Sequence, residues 1–301
     1  MILSVVVVSY NTAGLLARCL TALLARPLPA MEIFVVDNAS HDGSVELVRQ
    51  QFPTVNVIAN ERNAGFGAAC NQAIRRSSGR YVALVNSDAE VQGDGLAHLV
   101  RFLDAHPRAA VAGGRLRYPD GRFQHSAFRF PTLAQVFLDF FPLHWRLLES
   151  RLNGRYPRSW DDRAFRIDHP LGAFFAVRRE AFEQVGLFDE GFFMYAEEVD
   201  WCYRFKQAGW EIWHCPDALA IHHSGQSTAQ RRTAMFVELH RSRWRFYRKH
   251  YSLAFRIAAR AITGVAMTLE GAGAWLADRR AGGTRPEARA HAEACLEVLR
   301  L

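Results

Sequence analysis

The run Leu3-Ser4-Val5-Val6-Val7-Val8-Ser9-Tyr10-Asn11 decides the fold. Its apolar, mostly β-branched residues form one continuous block, as expected of a parallel strand buried on both faces. Asn11 and Gly14 then turn the chain, and Leu15, Leu16, Cys19, Leu20, Leu23 and Leu24 recur at helical spacing. The alternation continues downstream: residues 32–36 read as a strand, 44–51 as a helix, 55–59 as a strand, 65–76 as a helix and 81–85 as a strand. This βαβ order predicts an α/β protein with a mostly parallel central sheet, flanking helices, and a ligand crevice at the carboxyl ends of the strands.

Polar residues collect at those ends. Ser9, Tyr10 and Asn11 follow the first strand, Asp37 and Asn38 the second, and Asn86, Ser87 and Asp88 the fourth. Any one group is as readily a turn as a site. Three groups aimed at one crevice favour a site.

After Gly113 the alternation gives way to an aromatic and basic stretch (Tyr118, Phe123, Phe128, Phe130, Phe137, Trp145 among others), expected to make excursions over the crevice. Regularity returns with a strand at 171–177, helices near 179–185 and 197–208, and strands at 211–214 and 218–222. Helical stretches follow at 233–251 and 253–277. Residues 278–301, rich in Arg, Ala and Gly, read as loosely attached.

Half of the 301 residues are hydrophobic, enough for a substantial core. The five cysteines (Cys19, Cys70, Cys202, Cys215, Cys295) form no closely spaced pair, which suits a reducing, cytoplasmic compartment. The amino end lacks the basic leader and cleavage site of a secretory signal. Arg256, Arg260 and Glu270 interrupt the most apolar stretch, 253–277, so no segment reads as spanning a bilayer. A net charge of +7 suits nucleic acid, anionic lipid or a phosphorylated substrate equally.

A diphosphate leaving group needs its charge neutralised, usually by Mg²⁺ or Mn²⁺ held on oxygen ligands, and Asp88 at a strand end is placed for that. An acceptor hydroxyl needs a general base, and the cluster Glu197, Glu198, Asp200 offers carboxylates. At these residues the sequence resembles the family-two inverting glycosyltransferases of the GT-A fold, a Rossmann-like nucleotide-diphospho-sugar transferase fold, and most closely their rhamnosyltransferase-like branch. The resemblance rests on an ordered set of segments: 5–11, 35–43, 63–71, 84–88, Gly172-Ala-Phe-Phe-Ala-Val-Arg178, Phe188-Asp189-Glu190, Phe193-Met-Tyr-Ala-Glu-Glu-Val-Asp-Trp201, and Ile221-His-His-Ser-Gly-Gln-Ser-Thr228. It covers residues 3 to 250. Each segment is weak alone, but their order and spacing are specific.

The resemblance implies a glycosyltransferase domain over 1–230, with a nucleotide-sugar half at about 1–115 and an acceptor half at about 116–230, and a helical extension over 231–301. It implies that Ser9, Tyr10, Asp37 and Asn38 hold base and ribose, with Asn11 beside them, and that Asn63, Gly65 and Asn71 lie along diphosphate and sugar. Gly65 and Gly67 lead into a helix whose amino end is suited to phosphate. Asp88 matches the last acid of the family's metal triplet, here Asn86-Ser87-Asp88, so the first acid is missing. His222 stands at the second metal position, with His223 as the alternative. Glu198 occupies the place of the usual catalytic Asp, one methylene longer, and Asp200, expected on the same helix face, is the rival base.

The implied donor is a nucleotide-diphosphate sugar, deoxythymidine-diphosphate rhamnose by the branch or a uridine-diphosphate sugar, and the acceptor a glycan or polyprenyl-linked glycan of the cell envelope. Two other readings stand beside this one: a catalytically silent nucleotide- or glycan-binding subunit, and a sugar nucleotidyltransferase. The basic-aromatic run 241–249 and the apolar stretch after it read either as a helix on an anionic membrane surface, at the cytoplasmic face, or as ordinary buried helix. Nucleic acid is not an expected partner.

Overall fold

The computed structural model of the protein describes residues 2–225 and 232–301. Gln226, Ser227 and Thr228, the end of the last motif segment, lie outside the described residues. The chain divides into two units, the first made of residues 1–130, 156–193 and 197–227, the second of 131–155, 194–196 and 228–301. Residues 131–155, read from sequence as part of the acceptor half, group with the C-terminal helices.

In the first unit, β1 (Leu3–Ser9), α1 (Ala13–Ala25), β2 (Met31–Asp37), α2 (Ser44–Gln51), β3 (Asn56–Ala59), α3 (Phe66–Arg76) and β4 (Tyr81–Asn86) follow the predicted order. Then come β5 (Ala89–Gln92), α4 (Gly95–Ala105), β6 (Ala109–Arg117), and the short β7 (Phe123–Gln124) and β8 (Ala127–Phe128). After the second unit's α5 (Leu133–Phe140) and α6 (Trp145–Leu148), the sheet resumes with β9 (Phe165–Arg166), β10 (His169–Pro170) and β11 (Phe174–Arg178). Helices α7 (Arg179–Val185) and α8 (Glu197–Gln207) and strand β12 (Glu211–His222) complete it.

The main sheet runs β3-β2-β1-β4-β11-β6-β12-β5, with β7 and β9 pairing β6 and β12. β1, β2, β3 and β4 are mutually parallel, and β6 and β12 are parallel, whereas β11 is antiparallel to both neighbours. The continuous β1 run is explained by its position. Val5 and Val7 pack in the apolar layer that includes Leu16, Leu20 and Leu99, while Val6 points into the opposite layer with Ile74, Phe175 and Trp201.

Register carries the site. Ser9 lies opposite Asp37, and Val8 opposite Asn86, so the polar ends of β1, β2 and β4 line up side by side. β12 is one strand rather than the two expected, with a register shift between Cys215 and Leu219 where Pro216 cannot donate to the ladder. Its last residue, His222, pairs with Ala89 of the antiparallel β5, which brings it next to Asp88.

The second unit contains α9 (Arg232–His250), α10 (Leu253–Arg280) and α11 (Pro286–Arg300) around Val237, Ala266, Met267, Ala294, Cys295 and Val298. The expectation that 278–301 is loosely attached fails. Asp278 accepts from the Arg285 backbone N–H (2.9 Å) and from the Arg289 guanidinium, and Ala292, Cys295 and Val298 are buried. Among the described residues no helix is long and apolar enough to cross a membrane.

Candidate active site

Three hydroxyls form a chain at the carboxyl ends of β1 and β4: Ser9 Oγ lies 3.1 Å from Thr12 Oγ1, which lies 3.0 Å from Ser87 Oγ, all buried. Thr12 was not picked out in the sequence, where it reads only as the residue before a helix. Asp37 accepts from the Ser40 N–H through Oδ2 (2.8 Å), while its buried Oδ1 has no protein partner. A buried carboxylate oxygen without a donor costs on the order of 1–3 kcal/mol, more for a charge, so this atom is suited to a ligand N–H or O–H. Asn38 is spent on the protein, donating to the Gly65 carbonyl (3.2 Å) and accepting from Asn60 (2.9 Å). Asn11, at φ 50°, accepts from the His41 N–H (2.8 Å). Ala39 beside it also has positive φ, 64°. Left-handed backbone at two non-glycine residues costs energy that surrounding contacts must hold in place. Tyr10 is partly buried beside them.

Asn63 accepts from the Gly65 N–H (3.0 Å). Gly65 has φ +86°, and a Cβ there would overlap the Phe193 carbonyl oxygen. That oxygen accepts the Phe66 N–H (2.9 Å), so the first donor of α3 is bonded within the protein. Gly65→Ala combines positive φ with a backbone clash and is expected to destabilise the fold by about 2 kcal/mol or more; urea unfolding followed by circular dichroism measures it. Asn71 is also redirected. Buried to 1% exposure, it exchanges hydrogen bonds with the Phe188 N–H and carbonyl and donates to Glu190, fixing the 188–190 loop instead of lining the crevice.

Asp88 and His222 meet. Both are buried, and Asp88 Oδ1 is 3.3 Å from His222 Nε2. His222 Nδ1 faces the buried Gln124 amide, 3.1 Å from Nε2 and 3.3 Å from Oε1, while Nε2 has no hydrogen-bond partner. Gln124, a residue the sequence did not flag, thus holds the ring and, through Oε1, can keep the proton on Nδ1. A carboxylate oxygen and an imidazole nitrogen at this spacing fit two adjacent ligand positions around one cation, and the N/O donor set suits Mn²⁺ at least as well as Mg²⁺. His223 points elsewhere, to Glu90 Oε1 (2.8 Å), which also pairs with Arg18. Both adjoin Asp88, His223 by donating its backbone N–H to the Asp88 carbonyl (3.0 Å), but only the His222 ring faces the Asp88 carboxylate.

Glu198 lies in the first turn of α8 beside Gly172, where a methyl would touch its Cδ at 3.6 Å. The carboxyl is pushed up to about 7 by burial, against its own and the Val199 backbone N–H groups, which pull it down. Position in a helix first turn favours the anion by about 0.3–1 kcal/mol, whereas a rise from 4.5 to about 7 corresponds to roughly 3 kcal/mol. Desolvation wins. Asp200 does not share this setting. Two positions along a helix are about 200° apart, and Asp200, fully buried, pairs with Arg204 Nε (2.9 Å), whose remaining nitrogens donate to the Val185, Gly186 and Leu187 carbonyls. It anchors α8 to the end of α7. Glu197 is buried toward α3, its Cβ against Gly67. Immediately before α8, Tyr195 and Ala196 both have positive φ, 68° and 61°.

The chain has known relatives in sequence and in fold. The chain is 29% identical over 272 residues to the N-acetylglucosaminyl-diphospho-decaprenol L-rhamnosyltransferase of Mycobacterium tuberculosis, covering 83% of this chain and 85% of that one. In fold it is similar to a mannosyltransferase from Pyrobaculum calidifontis solved with GDP-Man and Mn²⁺ (TM-score 0.58, 18% identity, 99% and 84% of the two chains). It is also similar to GalNAc-T7 solved with UDP, GalNAc and Mn²⁺ (TM-score 0.55, 20% identity, 74% of this chain and 44% of that one). These are GT-A glycosyltransferases, and the fold here is the same. The model of one family, described as glycosyl transferase family 2, matches residues 4–186, more than half of the sequence, and the chain belongs to that family.

Proposed function

We propose that this glycosyltransferase moves a sugar from a nucleoside diphosphate to an acceptor hydroxyl in one displacement, with inversion at the anomeric carbon. The observation that carries the reading is the Asp88–His222 pair at 3.3 Å, a buried carboxylate and imidazole at the mouth of a nucleotide crevice. Asp88 and His222 would hold a divalent cation, which supplies charge neutralisation for the departing diphosphate. The solved neighbours that contain Mn²⁺ support this choice of cofactor.

The remaining work falls to the chain's own groups. Asp37 Oδ1 accepts from the base or ribose, and the Ser9, Thr12 and Ser87 hydroxyls line the floor below. Glu198 accepts the proton of the acceptor hydroxyl as its oxygen bonds to the anomeric carbon and the bond to the diphosphate oxygen breaks. A base near 7 is matched to neutral pH, where about half of it is ionised and it is basic enough to take the proton. Asp200 and Asn71 act at a distance, by fixing α8 and the 188–190 loop.

The M. tuberculosis relative is named for L-rhamnosyl transfer to N-acetylglucosaminyl-diphospho-decaprenol. That name supports L-rhamnose as the transferred sugar and a polyprenyl-diphosphate-linked glycan as acceptor, in cell-surface polysaccharide synthesis, and the resemblance to the rhamnosyltransferase-like branch makes deoxythymidine diphosphate its carrier. The test is transfer from a panel of nucleotide sugars to a lipid-diphosphate acceptor with Mn²⁺, with the product's anomeric configuration read by NMR. Inverted product from the deoxythymidine donor is expected. A retained configuration would refute the single displacement, and release of pyrophosphate from a nucleoside triphosphate would make the chain a nucleotidyltransferase. Failure to release any nucleoside diphosphate would leave a silent binder.

A further inference from the structure

The charge of this protein is concentrated in its C-terminal helices. Residues 232–301 carry 13 Lys and Arg against 6 Asp and Glu, an excess equal to the +7 of the whole chain. The same unit holds nearly all the exposed large apolar side chains: among the described residues so exposed, only Ile2 lies in the other unit.

Helix α10 shows how the two features combine. One arc is buried, through Ala259, Thr263, Ala266 and Met267. The opposite arc exposes Leu253 (63%), Ile257 (61%), Val265 (56%), Leu269 (61%), Trp275 (51%) and Leu276 (45%). At 100° per residue these six fall within about 160° of one another, and the other positions of that arc from 257 to 276 are Ala258, Ala261, Gly264, Thr268, Gly271 and Ala272, none charged. Arginines bound the arc at both ends, Arg256 and Arg260 near the start and Arg279 and Arg280 at the finish. Near the start an open cavity of about 550 Å³ is lined by Leu253 and Ile257 together with Arg248, Arg256 and Arg260. Arg260 is steadied there over the Trp244 ring (5.3 Å to its centroid) and by the Leu299 carbonyl (2.8 Å).

A 28-residue helix that cannot span a bilayer, yet carries an uncharged apolar face between two arginine pairs, matches the requirements of a helix lying in the plane of a membrane interface. We infer that the outer face of α10 rests on anionic lipid, with its apolar arc among the upper acyl carbons, Arg279 and Arg280 against headgroup phosphates, and the Arg248–Arg256–Arg260 cavity taking one phosphate at the other end. Charge selects this occupant: the face presents cations without acids, which complements anionic headgroups and repels a second copy of itself. This deepens the proposed site of action but stands on α10 and the neighbouring Arg248 of α9, not on the chemistry at Glu198.

The test is sedimentation of the full chain with phosphatidylglycerol or phosphatidylcholine vesicles at 0.05 and 0.5 M salt, each approximate. Wild type is expected to bind the anionic vesicles at least tenfold more than the neutral ones, and binding should fall at high salt. Ile257→Glu/Leu269→Glu, both at exposed positions, should abolish binding while leaving donor hydrolysis by the soluble protein intact, so that failure here is distinguishable from failure of the catalytic reading. Arg256→Glu/Arg279→Glu should remove the lipid preference. Wild type remaining in the supernatant with both vesicles overturns the inference. So does a dimer, seen by sedimentation velocity, that Ile257→Glu/Leu269→Glu dissociates, since the face would then belong to a second copy.

Discussion

Glu198→Gln should slow transfer by about 10² to 10⁴-fold at saturating donor, the usual worth of general-base catalysis, while leaving nucleotide binding intact. Gln keeps the shape and loses only the proton acceptor. Glu198→Asp should retain more activity, because it restores the acid usual at this place in the resembling family. Asp200→Asn should behave differently, weakening the Arg204 anchor and therefore stability, with activity lost in proportion to fold. If Glu198→Gln keeps near-normal turnover while folded Asp200→Asn loses it, the base is Asp200.

The same group gives a pH signature. The folded carboxyl near 7 lies above its unfolded value of 4.5, so between those limits the folded state binds more protons. Stability contributed by the protonated form is complete below about 4.5 and is lost as pH rises through 7. Removing the ionisable group removes that loss, so Glu198→Gln should melt higher than wild type at pH 8, with the advantage shrinking toward pH 5. Activity runs oppositely: kcat/KM of wild type should rise with pH through about 7, since only the anion accepts the proton. A melting difference that does not change with pH would show that the carboxyl is not held up by burial in solution.

Why these residues were legible and others were not follows from where each signal resides. β1 and the helices packed on it declare themselves because burial on both faces writes a continuous apolar run, and burial on one face writes a 3.6-residue period. β6 is Ala-Ala-Val-Ala-Gly-Gly-Arg-Leu-Arg, poor in strand-forming side chains. It is a strand because its neighbours make it one: at Gly114 the Phe174 ring lies where a side chain would be. The C-terminal helix hides its buried face in Ala and Cys, which look like an unstructured tail. In the candidate site, motif position singled out Asp88, His222 and Glu198 as candidates but could not give the direction of each side chain. Asn71 and Asp200 occupy motif positions and are nevertheless consumed by the 188–190 loop and Arg204. Thr12 and Gln124 are the reverse case, supplied by strand register across 75 and 98 residues of sequence, which no local pattern encodes.

Asp88→Ala should abolish the metal dependence of nucleoside-diphosphate binding. With Asn86 in place of a first acid, the protein offers one carboxylate and one imidazole, so a cation is held weakly until diphosphate oxygens complete its shell. Metal and nucleotide are then mutually dependent ligands, and each raises the affinity of the other by the same factor. Calorimetry with deoxythymidine or uridine diphosphate, with and without Mn²⁺, reads that factor directly. Wild type should bind tighter with Mn²⁺, and Asp88→Ala should lose on the order of 100-fold in its presence and little in its absence. Asp88→Asn should fall nearly as far, because the amide keeps the volume but not the charge. Gln124→Leu leaves both ligand atoms in place but frees the ring and strands Nδ1, so a loss of about 10- to 100-fold confined to the metal-containing arm is expected. Equal affinity for wild type and Asp88→Ala, with and without metal, would mean that the 3.3 Å pair is only a buried structural contact and that the diphosphate is neutralised by other groups.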